Sequence, residues 1–217
     1  MAVYDTDFFV VKRAIDSVLM QDFQDFEIIV IDDGSANDTQ SQLLNYVIEH
    51  ENRITYLRHR NCGQSESINR GILNSTGEYI TILDADDEYK PNHLSSCLYE
   101  IKGVDLIAST TETIVDDEND FFVPDKYDNS QLIHVDECIL FATLFGRKEV
   151  FVNLKFKKQY AADAQFYETA AQKYLVKKVD LRTYIYYRNM PNSTCAKLKA
   201  KTPNAVINTT LYASFEN

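Results

Sequence analysis

Ten residues, FEIIVIDDGS at 26–35, constrain the fold of this chain more than any other stretch. An apolar run of β-branched character stops at Asp32-Asp33-Gly34-Ser35, and N-cap residues follow from Ser35 to Asp38. A half-exposed strand would alternate apolar and polar residues, so the run fits a strand buried on both faces. Leu43, Leu44, Val47 and Ile48 then recur at helical spacing. The local order is strand, acidic turn, helix.

That order repeats. A helix carrying Phe8, Val11, Ile15, Val18 and Leu19 comes first and ends near Met20. ITYLR at 54–58 reads as a strand, and after the loop HRNCGQ a helix is predicted over 65–74, stopped by Ser75-Thr76-Gly77. YITILD at 79–84 is a further strand, with Pro91 as the first residue of a helix containing Leu94, Cys97, Leu98 and Ile101. VDLIAS at 104–109 is the next strand. Alternation of this kind implies an α/β fold, a mostly parallel sheet flanked by helices, whose ligands sit beyond the carboxyl ends of the strands. Both acidic clusters, Asp32-Asp33 and Asp84-Ala85-Asp86-Asp87, fall at such ends.

The periodicity breaks after Ser109, where ETIVDDENDFFVPDKYDNSQ predicts a mobile or solvated excursion. Order returns near His134, with a helix predicted over 162–174 and short strands at VKKVD and YIYYR. One domain is expected, with a first half at 1–110, a second half at 111–188 and a tail at 189–217. A formal net charge of −11 leaves no basic stripe for a nucleic-acid backbone, so an anionic ligand has to be held by local devices such as a metal or a helix N-terminus. Cys62, Cys97, Cys138 and Cys195 form no CxxC pair and read as reduced structural thiols. The opening residues lack a secretory pattern and no run reaches 18 apolar residues, which predicts a cytoplasmic protein; the N-x-S/T triplets at Asn37, Asn74, Asn192 and Asn208 are then chance sequence.

Three carboxylates within four positions, Asp84, Asp86 and Asp87, repel one another unless water, a cation or hydrogen bonds take them up. A D-x-D pair at a strand end can offer one carboxylate to a hard divalent cation and the other to a ligand hydroxyl. The alternative is a hydrated acidic turn leading into a helix N-terminus. Asp32-Asp33-Gly34-Ser35 and Asn61-Cys62-Gly63-Gln64 are equally compatible with ordinary turns.

The ordered set changes the weighing. AVYDTDFFVVKRAIDSVLMQDFQDFEIIVIDDGS, then the N-x-G loop with Asn69-Arg70-Gly71 after it, then TGEYITILDADDEYKPNHL, then FGRKEVF, AADAQFYETAAQKY and YIYYRNMPNS, closely resembles family 2 glycosyltransferases of the GT-A fold over about nine tenths of the chain. The resemblance implies that Asp32 and Asp33 contact a uracil or related base, that Asp84 faces the ribose or sugar, and that Tyr4, Asn61 and Gly63 belong to the same nucleotide site. It implies a manganese or magnesium ion bound by Asp86 and bridging the diphosphate, and Asp163 as the general base on the acceptor hydroxyl. The expected reaction is inverting transfer from a uridine diphosphate sugar to a saccharide or lipid-linked acceptor, in bacterial surface polysaccharide assembly. A non-catalytic nucleotide-sugar-binding module of the same fold is the second reading. Peripheral membrane contact through Lys197, Lys199 and Lys201 is set against a merely solvated face.

Departures from the family pattern are local. Ala2 and Asp5 replace the Pro and Asn of P-x-Y-N, and only Met1-Ala2-Val3 precede Tyr4, which predicts a shortened first strand. Ala162 stands where a Glu precedes Asp163, and Ile68 where many members carry a basic residue.

Overall fold

Every residue of the strand at Ile28–Asp32 is buried, as an apolar run without alternation requires. In the computed structural model, which describes residues 1–36, 38–128, 130–188 and 206–207, this strand is the centre of a small parallel sheet. The elements around it are β1 (Ala2–Val3), α1 (Phe8–Leu19), β2 (Ile28–Asp32), α2 (Thr39–Glu49), β3 (Ile54–Arg58) and α3 (Gln64–Asn74). β1 pairs with β2 through Ala2↔Ile31 and Val3↔Asp32, and β2 pairs with β3 from Ile28↔Ile54 to Asp32↔Arg58. The predicted short first strand is thus two residues long. Val11 and Ile15 of α1 and Leu43 of α2 pack with Val3, Val30 and Ile54 to seal the layer.

A second, mixed sheet carries the rest of the core. Its elements are β4 (Tyr79–Thr81), β5 (Glu88–Tyr89), α4 (His93–Glu100), β6 (Leu106–Ile114), β9 (Leu144–Arg147), α5 (Lys148–Leu154), α6 (Ala162–Ala171) and β10 (Val176–Tyr187), with strand order β4-β9-β6-β10-β5. β9 runs antiparallel to β4 and β6, and β10 parallel to β6. Gly146 permits the β9–β6 approach, since a Cβ there would lie 2.7 Å from Leu106 Cδ1 and 2.8 Å from Asp105 O. Phe166 of α6 stacks on Phe156 and Phe151 at centroid distances of 4.3 and 5.1 Å, which fixes α6 against α5 and the sheet.

Five local expectations are corrected. The strand predicted over 79–84 ends at Thr81, because Ile82 and Leu83 are buried without a ladder partner and the chain turns into the acidic loop. The helix predicted from Pro91 begins at His93, because residues 90–93 first close a turn in which the His93 amide donates to Lys90 O at 2.9 Å. VKKVD and YIYYR form one strand, β10, whose register shift between Val179 and Tyr184 is absorbed by Arg182 at φ 48°. The acidic excursion is tied down: β6 runs on to Ile114, and β7 (Phe122–Pro124) pairs antiparallel with β8 (Gln131–His134), with the His134 ring stacked on Phe121 at 5.5 Å. A short strand, β11 (Val206–Ile207), adds to β8 in parallel.

The helix predicted over 162–174 closes at Ala171, although Tyr174 still packs on the core. Cys62, Cys97 and Cys138 are free thiols. Among the described residues no helix is long and apolar enough to cross a membrane. Lys197, Lys199, Lys201, Cys195, Asn192 and Asn208 lie outside the described residues.

Candidate active site

The loop after β2 is built inward. Asp32 accepts the Ser35 amide at 2.8 Å on one carboxylate oxygen and the Tyr56 hydroxyl at 2.6 Å on the other, with Arg58 Nε 3.3 Å away. Burial opposes its ionisation, but Tyr56, Ser35 and Arg58 together hold the carboxyl below the usual range. Asp33 accepts the Cys62 and Gly63 amides at 2.7 and 2.8 Å, joining the β2 loop to the start of α3. Both carboxylates are nearly sealed from solvent, at 1% and 3% exposure, so they organise the loops before they touch any ligand.

Backbone conformation explains the neighbours. Gly34 has φ +81°, and a Cβ there would sit 2.7 Å from the Asn61 amide nitrogen, so the two loops meet only over a glycine. Asp5 at φ 48° occupies the left-handed region that Asn and Asp tolerate, which accounts for Asp in the place of the family's Asn. Its amide donates to Ser35 Oγ at 3.0 Å and its carboxylate accepts the Ala36 amide at 2.7 Å. Tyr4, next to Asp5, is exposed at 53%, and Asn61 is exposed as well.

The loop after β4 meets this wall. Gln64, the first residue of α3, donates to Asp84 Oδ1 at 2.8 Å. The ordering therefore runs from Asp33 through Gly63 and Gln64 to Asp84, and the start of α3 links the two strand-end loops. Burial, reinforced by the negative charges of Asp86 and Asp163, pushes the Asp84 carboxyl up to about 7. Burial likewise raises Asp86, opposed by Arg13, whose Nη2 donates to Asp86 O at 2.6 Å while its guanidinium lies 4.2 Å over the Tyr187 ring.

Asp87 has a different task. It is buried at 1% exposure, accepts the Tyr184 hydroxyl and the Tyr187 amide, and so ties the acidic loop to β10. Burial, then Asp84 and Asp86, lift it to about 8.

Asp163 arrives from the other half of the chain, in the first turn of α6 after Ala161 at φ 51°. Burial pushes it up to about 6, against the Ala164 amide and the more distant Lys126 charge. Its negative charge is one of the influences that raise Asp84. Ala162 and Ile68, two of the departures, are both buried.

Among the described residues no group of three or more His, Cys, Asp or Glu side chains is set to ligate a metal. The donor chemistry nevertheless fits a hard divalent cation. Asp86 and Asp163 both raise the proton affinity of Asp84, and carboxylate oxygens are the ligand type such cations take, with one or two carboxylates sufficient. Sequence reasoning assigned no role to Gln64 and Arg13, and read Asp87 only as an acidic turn residue beside a helix start. A polar side chain opening a helix gives no one-dimensional sign of where it points.

The model of the family described as glycosyl transferase family 2 matches residues 3–164. The chain is 45% identical over 85 residues to a putative colanic acid biosynthesis glycosyl transferase, WcaA of Escherichia coli, covering 38% of this chain and 30% of that one. It is similar to mannosyltransferase PcManGT from Pyrobaculum calidifontis in complex with GDP-Man and Mn2+, with a TM-score of 0.70, 16% identity and coverage of 91% and 58%. It is also similar to S. aureus TarS 1-349 in complex with UDP-GlcNAc, with a TM-score of 0.68, 17% identity and coverage of 90% and 59%. The structural likenesses show a shared GT-A fold. The chain spans about a third to a half of the length of the first curated relatives it matches, at 34%, 47% and 34%.

Proposed function

The chain belongs to glycosyl transferase family 2, and from that premise we propose that it moves a sugar, with inversion, from a uridine diphosphate sugar to a hydroxyl of a saccharide or lipid-linked acceptor. The setting is assembly of a bacterial surface polysaccharide, a reading supported by the similarity to the putative colanic acid biosynthesis glycosyl transferase of E. coli. The observation that carries the reading is the Gln64–Asp84 hydrogen bond, because with the Asp33–Gly63 contact it links the two acidic strand ends, and the charge of Asp163 acting on Asp84 supports adding that residue.

Residues 1–110 form the donor side. Tyr4 and Asn61 flank the base at the rim, Asp32 and Asp33 fix the loops around it, and the Gly63 backbone leaves room for the nucleotide to approach. Asp84 meets the ribose or sugar, and Asp86 holds the divalent ion. When bound, manganese or magnesium supplies positive charge to the departing diphosphate.

Residues 111–188 form the acceptor side, with Asp163 as general base. The acceptor oxygen bonds to the anomeric carbon, its proton passes to Asp163, and the bond from that carbon to the diphosphate oxygen breaks, releasing the nucleoside diphosphate. One displacement inverts the centre. Above about pH 6 Asp163 is ionised and ready to accept the proton.

Calorimetry with uridine diphosphate and manganese, followed by transfer assays over a panel of uridine diphosphate sugars, tests the reading. Metal-dependent binding with transfer supports it; transfer that proceeds unchanged in a chelator removes the metal from it, and failure to bind uridine diphosphate removes the donor assignment.

A further inference from the structure

Gly63 caps the start of α3 at φ +96°, and the side chain that passes over it comes from the other half of the chain. A Cβ on Gly63 would lie 3.5 Å from Lys158 Cε and 3.8 Å from Lys158 Nζ. The ammonium therefore rests beside the residue that ties Asp33 to α3, next in sequence to Gln64 and its bond to Asp84.

The fold builds this placement. The link between α5 and α6 is laid on α3 by three hydrogen bonds. Asn69 accepts the Phe156 amide at 2.9 Å and donates to Phe156 O at 2.8 Å, satisfying both backbone groups of that residue. Ser65 Oγ donates to Lys157 O at 3.1 Å, while the Phe156 ring stacks on Phe166 in the core. With positions 156 and 157 held, Lys158 follows beside the first turn of α3 and its flexible four-carbon stem reaches Gly63.

Charge indicates what the ammonium is for. Arg13 is engaged by Glu88 and Asp86 O, Arg58 by Asp32 and Ser35 O, and Arg70 by Glu66. Lys158 is exposed and makes no hydrogen bond or ion pair among the described residues. A lysine ammonium is a mobile point charge that binds an arriving phosphate without needing a fixed geometry. Asp33 and Asp84 repel a phosphate that approaches the Gly63 backbone, and a positive charge at that spot offsets the repulsion.

We propose that Lys158 binds the phosphate groups of the nucleotide sugar, bringing a positive charge from the acceptor side of the chain onto the donor. Resting on the nucleotide-sugar reading above, this contact adds a ligand-binding residue to it and joins the donor to the segment that leads into α6 and Asp163.

The test uses the whole chain, Lys158→Met, which keeps the stem and removes the charge, and Lys158→Arg, which keeps the charge. Uridine diphosphate and uridine, which has no phosphate, are titrated into each with manganese present, followed by calorimetry and NMR. Lys158→Met is expected to weaken uridine diphosphate about 5- to 10-fold, to leave uridine within about twofold, and to reduce the salt dependence of uridine diphosphate binding. Lys158→Arg is expected to stay within about threefold of the parent for both ligands. Parental uridine diphosphate affinity in Lys158→Met overturns the Lys158 contact and leaves the nucleotide reading standing. Equal weakening of uridine diphosphate and uridine, or a loss in Lys158→Arg as large as in Lys158→Met, overturns the phosphate contact in favour of a packing role. A parent chain that binds no uridine diphosphate overturns both.

Discussion

Gln64 donates to Asp84 at 2.8 Å, and through that bond the start of α3 reaches the acidic loop after β4. Replacing Gln64 by Leu removes that hydrogen bond. Uridine diphosphate affinity in the presence of manganese is expected to fall about 5- to 20-fold, a loss of about 1–2 kcal/mol. Titration calorimetry on Gln64→Leu and Gln64→Glu measures this; an unchanged affinity in both would detach the loop contact from ligand binding.

Asp163 is expected to give the ascending limb of the pH–rate profile. With its carboxyl pushed up to about 6, the ionised form that accepts a proton accumulates as pH rises through that value. Asp163→Asn is expected to lower the transfer rate by about 10²–10⁴-fold and remove the limb, while nucleotide affinity stays near that of the parent. Single-turnover transfer at several pH values checks it.

Asp86→Asn keeps the size of the side chain and removes its charge. Manganese is expected to bind at least about tenfold more weakly, read by electron paramagnetic resonance of the free ion. Metal binding at parental strength would move the ligand role elsewhere in the cluster.

Asp87 is a lock on the loop. Asp87→Ala leaves the Tyr184 hydroxyl and Tyr187 amide without their acceptor, at a cost of roughly 1–3 kcal/mol for each buried group left unpaired. Tyr184→Phe, which keeps the ring in the core and loses only the hydroxyl, is expected to cost less. Urea denaturation of both variants orders them, and the reverse order contradicts the assignment.

His93 is buried, donates or accepts through Nδ1 at 2.8 Å to Thr183 Oγ1, and stacks on Tyr89 at 3.7 Å; burial pushes it down to about 3. The unfolded chain binds this proton below about pH 6.5 and the folded chain does not until about pH 3, so its stabilising contribution is complete above pH 6.5 and declines as pH falls through that window. His93→Gln is expected to flatten the stability curve between pH 6.5 and 4. Equal slopes for parent and variant would show that another group dominates.

Much of the architecture was legible in one dimension because its signals are short-range. The strand at ITYLR and the helix ending at Asn74 depend on neighbouring apolar spacing and stop residues, and the structure has both. The strand end at Thr81 and the merging of VKKVD with YIYYR were not legible, since a ladder partner and a bulge at Arg182 decide them and both involve distant chain. The site divides the same way. Asp32, Asp33, Asp84 and Asp86 stand out as carboxylates at strand ends, whereas nothing local shows that Asp33 turns to the Cys62 and Gly63 amides or that Asp87 faces β10.

The alternation of elements, the positions of the acidic turns and the likeness to the family are already written in the order of residues. The fold is what aimed Asp33 at the Cys62 and Gly63 amides and tied Asp87 to β10 through Tyr184 and Tyr187. The reason is physical: periodicity and turn chemistry act over a few residues, while the aim of a buried carboxylate and the pairing of a strand edge are set by groups 30 to 100 positions away.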